Sequence, residues 1–491
     1  MNKNEFRKIL QKLHLDTQQG FRSSVLFELN KINRSQIDIE QATAFSELAY
    51  RNNDFYLALK FLYRFFRSEK DYDSKLIIES NSLSAYAAAL AGIGANNEAK
   101  IIFKTLNADV NSLLNYAFLL FSEWDYENSI PLITKFIKSQ KDEYKILVGR
   151  LNLVAAHIAN GDLNEGELLL NDLQNDLFKN PNAFILTGNS FEIKSQIHLL
   201  NRQYKEARLS LTYATKYLDQ GGSRYKLYVE KWKAVLDLEM NPKSESNLSK
   251  LNSIRCQALD LKNWETVRDC DFHLARILNN EELLQRILIG TPYSGYKKRI
   301  KKIYGIIEDP KIPLIYKPGF QNESSYLEKI DLDFSNIPRL LVQRPTSYKL
   351  LQILCRDIYK PPRMGTVFHS LYPKEYFNPF SSPARVRNSI KRFNNSMRSL
   401  SLDFKIKINS SHIQLHSESR NNIRFTQVSL QNSFFKIKDQ FQHRHFNAKS
   451  ISKLLNVSKP TALKLILWGI DKSIIKKYGS GPNIYYRFKK K

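Results

Sequence analysis

The residues best suited to chemistry in this 491-residue sequence lie in one basic segment, SSPARVRNSIKRFNNSMRSLSL, residues 381–402. Arginine can form two hydrogen bonds with guanine and asparagine two with adenine in the major groove of DNA, and further basic side chains neutralise phosphates. The segment therefore predicts a helix that reads base edges. Its candidate DNA-binding residues are Arg385, Arg387, Asn388, Lys391, Arg392 and Asn395.

The spacing of the apolar residues in this segment predicts which face of the helix is buried. Four of them recur at intervals of 4, 3 and 4 and so form one stripe: Val386, Ile390, Phe393 and Met397. Ser382 is expected to cap the helix, with Pro383 in its first turn. Between Asp357 and Asp403, Glu375 is the only acidic residue. The opposite face is therefore predicted to be basic and open to DNA.

A β-hairpin is predicted directly after this helix, in DFKIKINSSHIQLHS, residues 403–417. Apolar and polar residues alternate around a turn at NSS, as they do in a half-buried hairpin. We expect Phe404, Ile406 and Ile408 to face inward. Lys405 and Lys407 then point outward, where they can contact phosphates.

A second candidate DNA-binding region spans FNAKSISKLLNVSKPTALKLILWGIDKSIIKKYGSGPNIYYRF, residues 446–488. It predicts two helices and two strands, with a tight turn at 456–458. The first helix would be anchored by Ile451, Leu454 and Leu455. Candidate DNA-binding residues on the second helix are Ser458, as its cap, and Lys459, Thr461 and Lys464 on its leading face. Lys476 and Lys477, in the first of the two predicted strands, are further candidates. Extra apolar residues at Leu463, Leu467 and Trp468 indicate a domain or dimer contact, or additional core.

The charge of the chain is concentrated around these regions. The formal net charge is +27, and residues 291–491 hold 38 of the 75 Lys+Arg but only 12 of the 48 Asp+Glu. A nearly neutral part joined to a strongly basic part indicates a polyanionic partner, most commonly nucleic acid. Binding to an anionic membrane surface would require an amphipathic basic helix, which the pattern does not show. No apolar run is long enough to span a membrane.

Residues 1–290 show helical periodicity and a recurring local pattern. A polar or Gly/Asn turn is followed, a few residues later, by a small residue that opens a helix. These small residues, 41, 30, 37 and 41 positions apart, are Ala58, Ala99, Ser129, Gly166 and Ala207. The pattern resembles degenerate tetratricopeptide repeats over roughly residues 40–280. That resemblance implies an α-solenoid that binds a protein or peptide; an irregular helical domain is the alternative.

The basic part resembles two winged helix-turn-helix domains. The first, over about residues 325–416, resembles the OmpR/PhoB type through TSYKLLQIL, with Thr346 as N-cap, RVRNSIKRFNNSM and FKIKINSSHIQL. The strand-like runs SYLEKIDLDFS and PRLLVQ precede these elements. The second, over about residues 441–489, resembles domains found in bacterial repressors. These resemblances imply recognition helices in the major groove and wings on phosphates or in the minor groove. No receiver domain precedes the first, so phosphorelay activation is not expected.

The expected fold class is mainly α, with an N-terminal α-solenoid followed by two winged-helix (α+β) domains. The predicted boundaries are 1–290 for the repeats, 291–324 for a linker or strand-bearing transition, 325–418 for the first winged helix and 419–491 for the second. Three well-separated cysteines rule out a disulfide framework and fit a reducing compartment.

The whole pattern resembles a bacterial transcriptional regulator that binds double-stranded DNA. It predicts a cytoplasmic, nucleoid-associated protein with a protein or peptide partner on the repeats and a possible homodimer. No catalytic motif, cofactor site or metal site is evident, so an enzyme is not expected. Two alternatives remain: a protein scaffold that binds no DNA, and a replication initiator that binds iterated DNA sites.

Overall fold

Many helices of this chain begin at a short polar residue whose side chain caps the helix N-terminus. Short polar residues that precede apolar runs in the sequence indicate these starts. In the computed structural model, the Asp38 carboxylate accepts a hydrogen bond from the Gln41 N–H at 2.9 Å. Asp109 and Asp142 do the same at the starts of later helices. Each cap satisfies a backbone N–H that has no partner inside its own helix. The protein is mainly helical.

The structure describes nearly all of the repeat region and parts of the remainder. The described ranges are 2–18, 21–66, 80–106, 109–218, 223–305, 314–316, 332–333, 344–409, 411–417, 423–425, 437, 440–441, 445–455, 458–471, 475–479, 481 and 484–488. The chain divides into two compact units. Unit 1 comprises residues 1–332 and 337–423, and unit 2 comprises residues 333–336 and 424–491.

The first part of unit 1 is a succession of helices. Their bounds are α1 Lys3–Gln18, α2 Arg22–Lys31, α3 Ile39–Arg51, α4 Phe55–Phe66, α5 Ser80–Gly92, α6 Asn96–Thr105, α7 Val110–Ser122, α8 Tyr126–Ser139, α9 Glu143–Asn160, α10 Leu163–Leu177, α11 Phe184–Leu200, α12 Tyr204–Leu218, α13 Ser223–Met240, α14 Glu245–Asp260, α15 Trp264–Ile277, α16 Glu281–Gly290 and α17 Ser294–Tyr304. Short 3₁₀ turns lie at Arg34–Gln36 and Pro181–Ala183.

Five consecutive helix pairs, from α3–α4 to α11–α12, share one turn geometry. A residue with positive φ stands in each turn: Asn53, Gly94, Trp124, Gly161 and Arg202. Five positions after each stands one of the small residues singled out in the sequence, and all of them are buried. A small side chain at that position lets the second helix of a pair pack closely on the first. The predicted helical repeats are therefore confirmed as a structural pattern.

The small residues give a stability prediction. Ala58 has no exposed surface, and its carbonyl accepts a hydrogen bond from Ser46 on α3 at 3.1 Å. Ala58→Leu should overfill this contact and lower the free energy of unfolding by about 1–3 kcal/mol. Urea denaturation measures the change. Ala384→Leu, at an exposed position, is the matched control, and equal effects of the two substitutions would contradict the packing role.

Residues 344–417, also in unit 1, fold as three helices and a hairpin. The helices are α18 Pro345–Leu354, α19 Met364–Leu371 and α20 Ser382–Ser399. The hairpin strands, β3 Phe404–Asn409 and β4 His412–Ser417, are antiparallel and pair Phe404 with Ser417. A single β-bridge joins Arg363, just before α19, to His412 on β4. The order is therefore helix, bridge, helix, helix, hairpin.

The predicted apolar stripe of α20 is confirmed, because all four of its side chains are buried. Three details differ from the sequence predictions. Ser381, not Ser382, precedes α20, and Ser382 Oγ instead accepts from the Asn378 N–H at 2.9 Å. α18 begins at Pro345, so Thr346 lies inside the helix rather than capping it. Ile408 is exposed, because inward burial on β3 ends at Ile406.

The segment predicted to be a linker, residues 291–324, begins with the packed helix α17. Tyr296 and Ile300 on α17 are buried, so the start of this linker or transition segment is a packed helix. Short strands follow at β1 Leu314–Tyr316, β2 Leu332–Asp333 and β5 Ile423–Phe425. The strand-like runs predicted at 325–335 and 338–343 lie outside the described residues except for β2.

Unit 2 contains α21 Ala448–Leu455, α22 Lys459–Asp471 and the antiparallel strands β6 Ile475–Tyr478 and β7 Tyr485–Phe488. A bridge joins Phe446 to Tyr486 on β7, so unit 2 repeats the order bridge, helix, helix, hairpin. Ile451 is fully buried as predicted, whereas Leu454 is 37 % exposed. Leu454 therefore does not anchor α21. The side chain of Leu455 and the predicted turn residues 456–457 lie outside the described part.

Candidate nucleic-acid interface

The exposed face of α20 is a continuous stripe of basic and amide side chains. The exposed positions, single or in adjacent pairs, follow the spacing of one helical face: Ala384, Arg387, Asn388, Lys391, Arg392, Asn395 and Arg398. α20 contains no acidic residue. Among the residues that the structure describes, the four basic side chains of this stripe have no ion-pair partner. Arg398 was not among the predicted DNA-binding residues, although its position three residues after Asn395 places it on the same helical face.

Arg385 differs from the other predicted residues of α20. It forms an ion pair with Glu375, and its guanidinium lies 4.0 Å from the centre of the Tyr372 ring. Its hydrogen bond to Glu375 lowers the pKa of that carboxyl group. Arg385 thus connects the start of α20 to the loop after α19, and five of the six predicted residues remain on the open face.

The hairpin is attached to the middle of α20 by an asparagine that sequence analysis missed. Asn394 Oδ1 accepts from the Ile406 N–H at 2.8 Å, and Asn394 Nδ2 donates to the Ile406 carbonyl at 3.2 Å. The neighbouring Lys405 and Lys407 are both exposed. The double hydrogen bond therefore holds the two predicted phosphate-binding lysines in a defined position beside α20. The sequence feature that could have indicated this contact is the adjacent Asn394–Asn395 pair.

The α18–β4 region is joined to the repeats at the turn between α5 and α6. The Gly365 N–H donates to the Ile93 carbonyl at 2.9 Å, and Thr366 Oγ1 donates to the Gly94 carbonyl at 3.0 Å. A Cβ atom at position 365 would lie 2.7 Å from the Ala95 nitrogen, so only glycine fits there without displacement. The start of α19 is therefore fixed on the repeats.

A second connection joins the loop after α18 to α15 through buried charges. Arg268 has no exposed surface and donates to both carboxylate oxygens of Asp357, each at 2.8 Å. Burial alone would lower the pKa of Arg268, but Glu265 and Asp357 outweigh it and raise the pKa. Tyr359 donates to Asp271 at 2.9 Å beside this pair. These contacts hold residues 357–359 against the late repeats.

His412 gives the region a pH dependence. Burial, together with the charges of Arg363, Lys262 and Lys360, lowers the pKa of His412 to about 4. In the unfolded chain its pKa is about 6.5, so the neutral ring contributes stability above that pH, and this stability is lost as the pH falls from 6.5 toward 4. We expect the melting temperature to fall over this range, and to fall less in His412→Gln. An identical profile in the variant would contradict the assignment.

Unit 2 presents a different surface. Lys459, Lys476 and Lys477 are exposed, and the Ser458 carbonyl accepts from the Ala462 N–H at 2.9 Å in the first turn of α22. The side chains of Thr461, Lys464 and Trp468 lie outside the described part. Leu463 and Leu467, one turn apart on α22, are 40 % and 54 % exposed, which favours a contact surface over additional core. The described exposed face of α22 is thus partly apolar, unlike that of α20.

An aromatic group in unit 2 was not singled out from the sequence. The rings of Tyr478 and Tyr485, paired across the hairpin, stack with centres 5.6 Å apart. The His445 ring lies 4.4 Å from that of Tyr485. The sequence feature that could have indicated this aromatic group is the placement of the two tyrosines on either side of the turn between β6 and β7.

Other kinds of site receive no support from the described residues. They contain no group of three or more His, Cys, Asp or Glu side chains that could hold a metal ion. No helix among them has the length and apolar character needed to cross a membrane. The expectation that the protein is not an enzyme stays a prediction.

Comparison with known proteins gave matches among solved structures. No protein-family model matches the sequence, and no curated protein matches it. Among solved structures, the chain is similar to the C-terminal part of a TPR repeat-containing protein from Cytophaga hutchinsonii, at 14 % identity and a TM-score of 0.31. The match covers 49 % of this chain and 98 % of the other. At this TM-score the assignment of helical repeats rests on the helix pairs of the protein itself.

Proposed function

We propose that this protein is a sequence-specific, double-stranded DNA-binding transcriptional regulator. The observation that carries the proposal is the basic stripe of α20, which has no ion-pair partner in the described part of the chain and places Arg387, Asn388, Lys391, Arg392 and Asn395 on one exposed face. The order helix, bridge, helix, helix, hairpin supports the winged-helix interpretation. α20 would lie in the major groove as the recognition helix.

The dimensions and charge of the region suit this role. From Arg387 to Arg398 the stripe spans about 16 Å of helix, which matches about five base pairs along the DNA axis. Residues 344–417 contain 13 Lys+Arg against three Asp+Glu. Two of those carboxylates are already paired with arginines of the same chain, Asp357 with Arg268 and Glu375 with Arg385. The open face therefore carries a positive potential that attracts DNA.

Unit 2 would add contacts of two kinds. Lys476 and Lys477 are exposed on β6 and can neutralise phosphates in the manner of a wing. The exposed Leu463 and Leu467 fit a contact with a second copy of the chain, in line with the possible homodimer. DNA-binding proteins that dimerise recognise paired half-sites.

The repeats would receive a protein partner. Phe178 is 57 % exposed and Tyr213 is 42 % exposed, and their rings flank that of Phe191 at 6.0 and 4.9 Å. Exposed aromatic side chains grouped in this way are typical of protein-interaction surfaces. Stacked helix pairs commonly present such surfaces. The partner would deliver the regulatory signal.

An in-vitro selection tests the proposal. The full chain is incubated with a random duplex pool at about 150 mM salt, which suppresses weak non-specific binding. We expect one motif to be enriched. Two inverted half-sites would indicate a dimeric regulator, whereas iterated direct repeats would favour a replication initiator. Enrichment of no motif would overturn the proposal in favour of a scaffold.

A further inference from the structure

A cavity of about 440 Å³ lies within unit 1 where the α11–α12 turn meets α13, α15 and α17. Its polar lining includes Arg202, Glu239, His273, Arg276 and Arg299. This volume falls within the range of about 300–1,000 Å³ that small-molecule sites occupy. The cavity is separate from the α20 face and uses none of its residues.

Positive charge predominates around the cavity. Its three guanidinium groups are opposed by one lining carboxylate, that of Glu239, which already pairs with Arg276. Burial lowers the pKa of His273 to about 3, so its ring is neutral and contributes no charge. The lining therefore has an excess of cations that an anion could balance.

Arg299 is the clearest unsatisfied group. No ion pair to Arg299 is formed within the described part of the chain, and its buried Nε has no hydrogen-bond partner. Its guanidinium lies 5.6 Å from the centre of the Trp124 ring. Burial would lower the pKa of Arg299, but the neighbouring Tyr304 and Asp269 raise it. Arg276 also has a buried Nε without a partner. Buried donors without acceptors are costly, and a phosphate or carboxylate would supply acceptors to both.

The rest of the lining is aromatic and apolar. Tyr204, Trp232 and Tyr304 line the cavity together with Val235. The Arg276 guanidinium lies 5.0 Å from the centre of the Tyr304 ring, so charged and aromatic groups are adjacent. Such walls accommodate a planar ring, while the arginines fix an anionic group.

We propose that this cavity binds a small organic anion, whose phosphate or carboxylate group pairs with Arg299 and Arg276 and whose ring packs against the aromatic lining. The bound anion would connect α17 to α13 and α15. Because α17 also contacts the Trp124 turn through Tyr296, at 4.5 Å between ring centres, occupancy would stabilise unit 1. The inference does not rest on DNA binding.

Thermal denaturation of the full chain tests it. The probes are nucleoside monophosphates, aromatic carboxylates and inorganic phosphate, each titrated separately. We expect one organic class to raise the melting temperature in a saturable manner, and the responding class identifies the anionic group. Arg299→Gln should weaken that binding at least tenfold. Lys301→Gln, the same change at an exposed position on α17, should leave it unchanged.

Two further measurements distinguish weaker ligand binding from a failure of the Arg299→Gln variant to fold. Arg299 forms no ion pair within the described part of the chain, but its charge attracts the Asp269 carboxylate, so the melting temperature of Arg299→Gln without ligand is measured first and serves as the reference for that variant. Should it fail to fold, Arg202→Gln at the exposed turn serves instead and should also weaken binding. The proposal is overturned if no organic probe stabilises the chain, if inorganic phosphate stabilises it equally well, or if the arginine variants bind as the wild type does.

Discussion

Replacement of Arg268 with Met is expected to lower the free energy of unfolding of unit 1 by about 3–5 kcal/mol. Arg268 is fully buried and forms two hydrogen bonds with Asp357 and one with Glu265, at 2.9 Å. Its guanidinium also lies within 5.6 Å of the centres of three tyrosine rings, those of Tyr293, Tyr296 and Tyr359. The substitution leaves the Asp357 carboxylate buried without its cation, which accounts for the large effect.

Urea denaturation followed by circular dichroism measures this loss. Arg398→Met is the matched control, because it makes the same chemical change at an exposed position without an ion pair and should cost less than about 0.5 kcal/mol. Asp357→Asn should reproduce a large part of the Arg268→Met effect, since it breaks the same pair. A loss in Arg268→Met no greater than in the control would show that the buried pair does not join residues 357–359 to the repeats.

Replacement of both Arg387 and Arg392 with Ala is expected to abolish the preference for the selected DNA motif. Each arginine lies on the exposed stripe of α20 and forms no ion pair with any residue that the structure describes, so each is available to a base pair. The loss should be about 1–3 kcal/mol for each side chain, and every 1.4 kcal/mol is tenfold in affinity. Binding of the full chain to the motif and to scrambled duplex, measured by fluorescence anisotropy, gives both affinities.

Two controls separate base reading from general charge. Arg22 and Arg51 are exposed arginines in the repeats, so the double variant Arg22→Ala, Arg51→Ala removes the same charge and should retain the preference. Lys405→Ala with Lys407→Ala should weaken binding to all duplexes alike and reduce the salt dependence. Retained preference in the Arg387, Arg392 variant would refute the assignment of α20 as the recognition helix.

Local periodicity determined much of this structure. The burial of Val386 and Phe393 on α20 follows from helical spacing, and the outward direction of Lys405 and Lys407 follows from strand alternation. The small residues after the repeat turns are buried for an equally local reason, since adjacent helices of a pair approach there. These features involve residues within a few turns of one another, and the sequence displays them directly.

Tertiary structure decided the features that depend on distant parts of the chain. Arg268 and Asp357 are 89 residues apart, and only the packing of residues 344–417 on the repeats brings them together. The docking of α17, which the sequence analysis treated as linker, and the cavity beside it depend on the stacking of several helices. Exposure of Ile408 and Leu454 likewise depends on whether another element covers them. Sequence alone thus determined which faces are apolar or basic, whereas the fold determined which of them meet, because contact between distant segments is set by the global path of the chain rather than by local spacing.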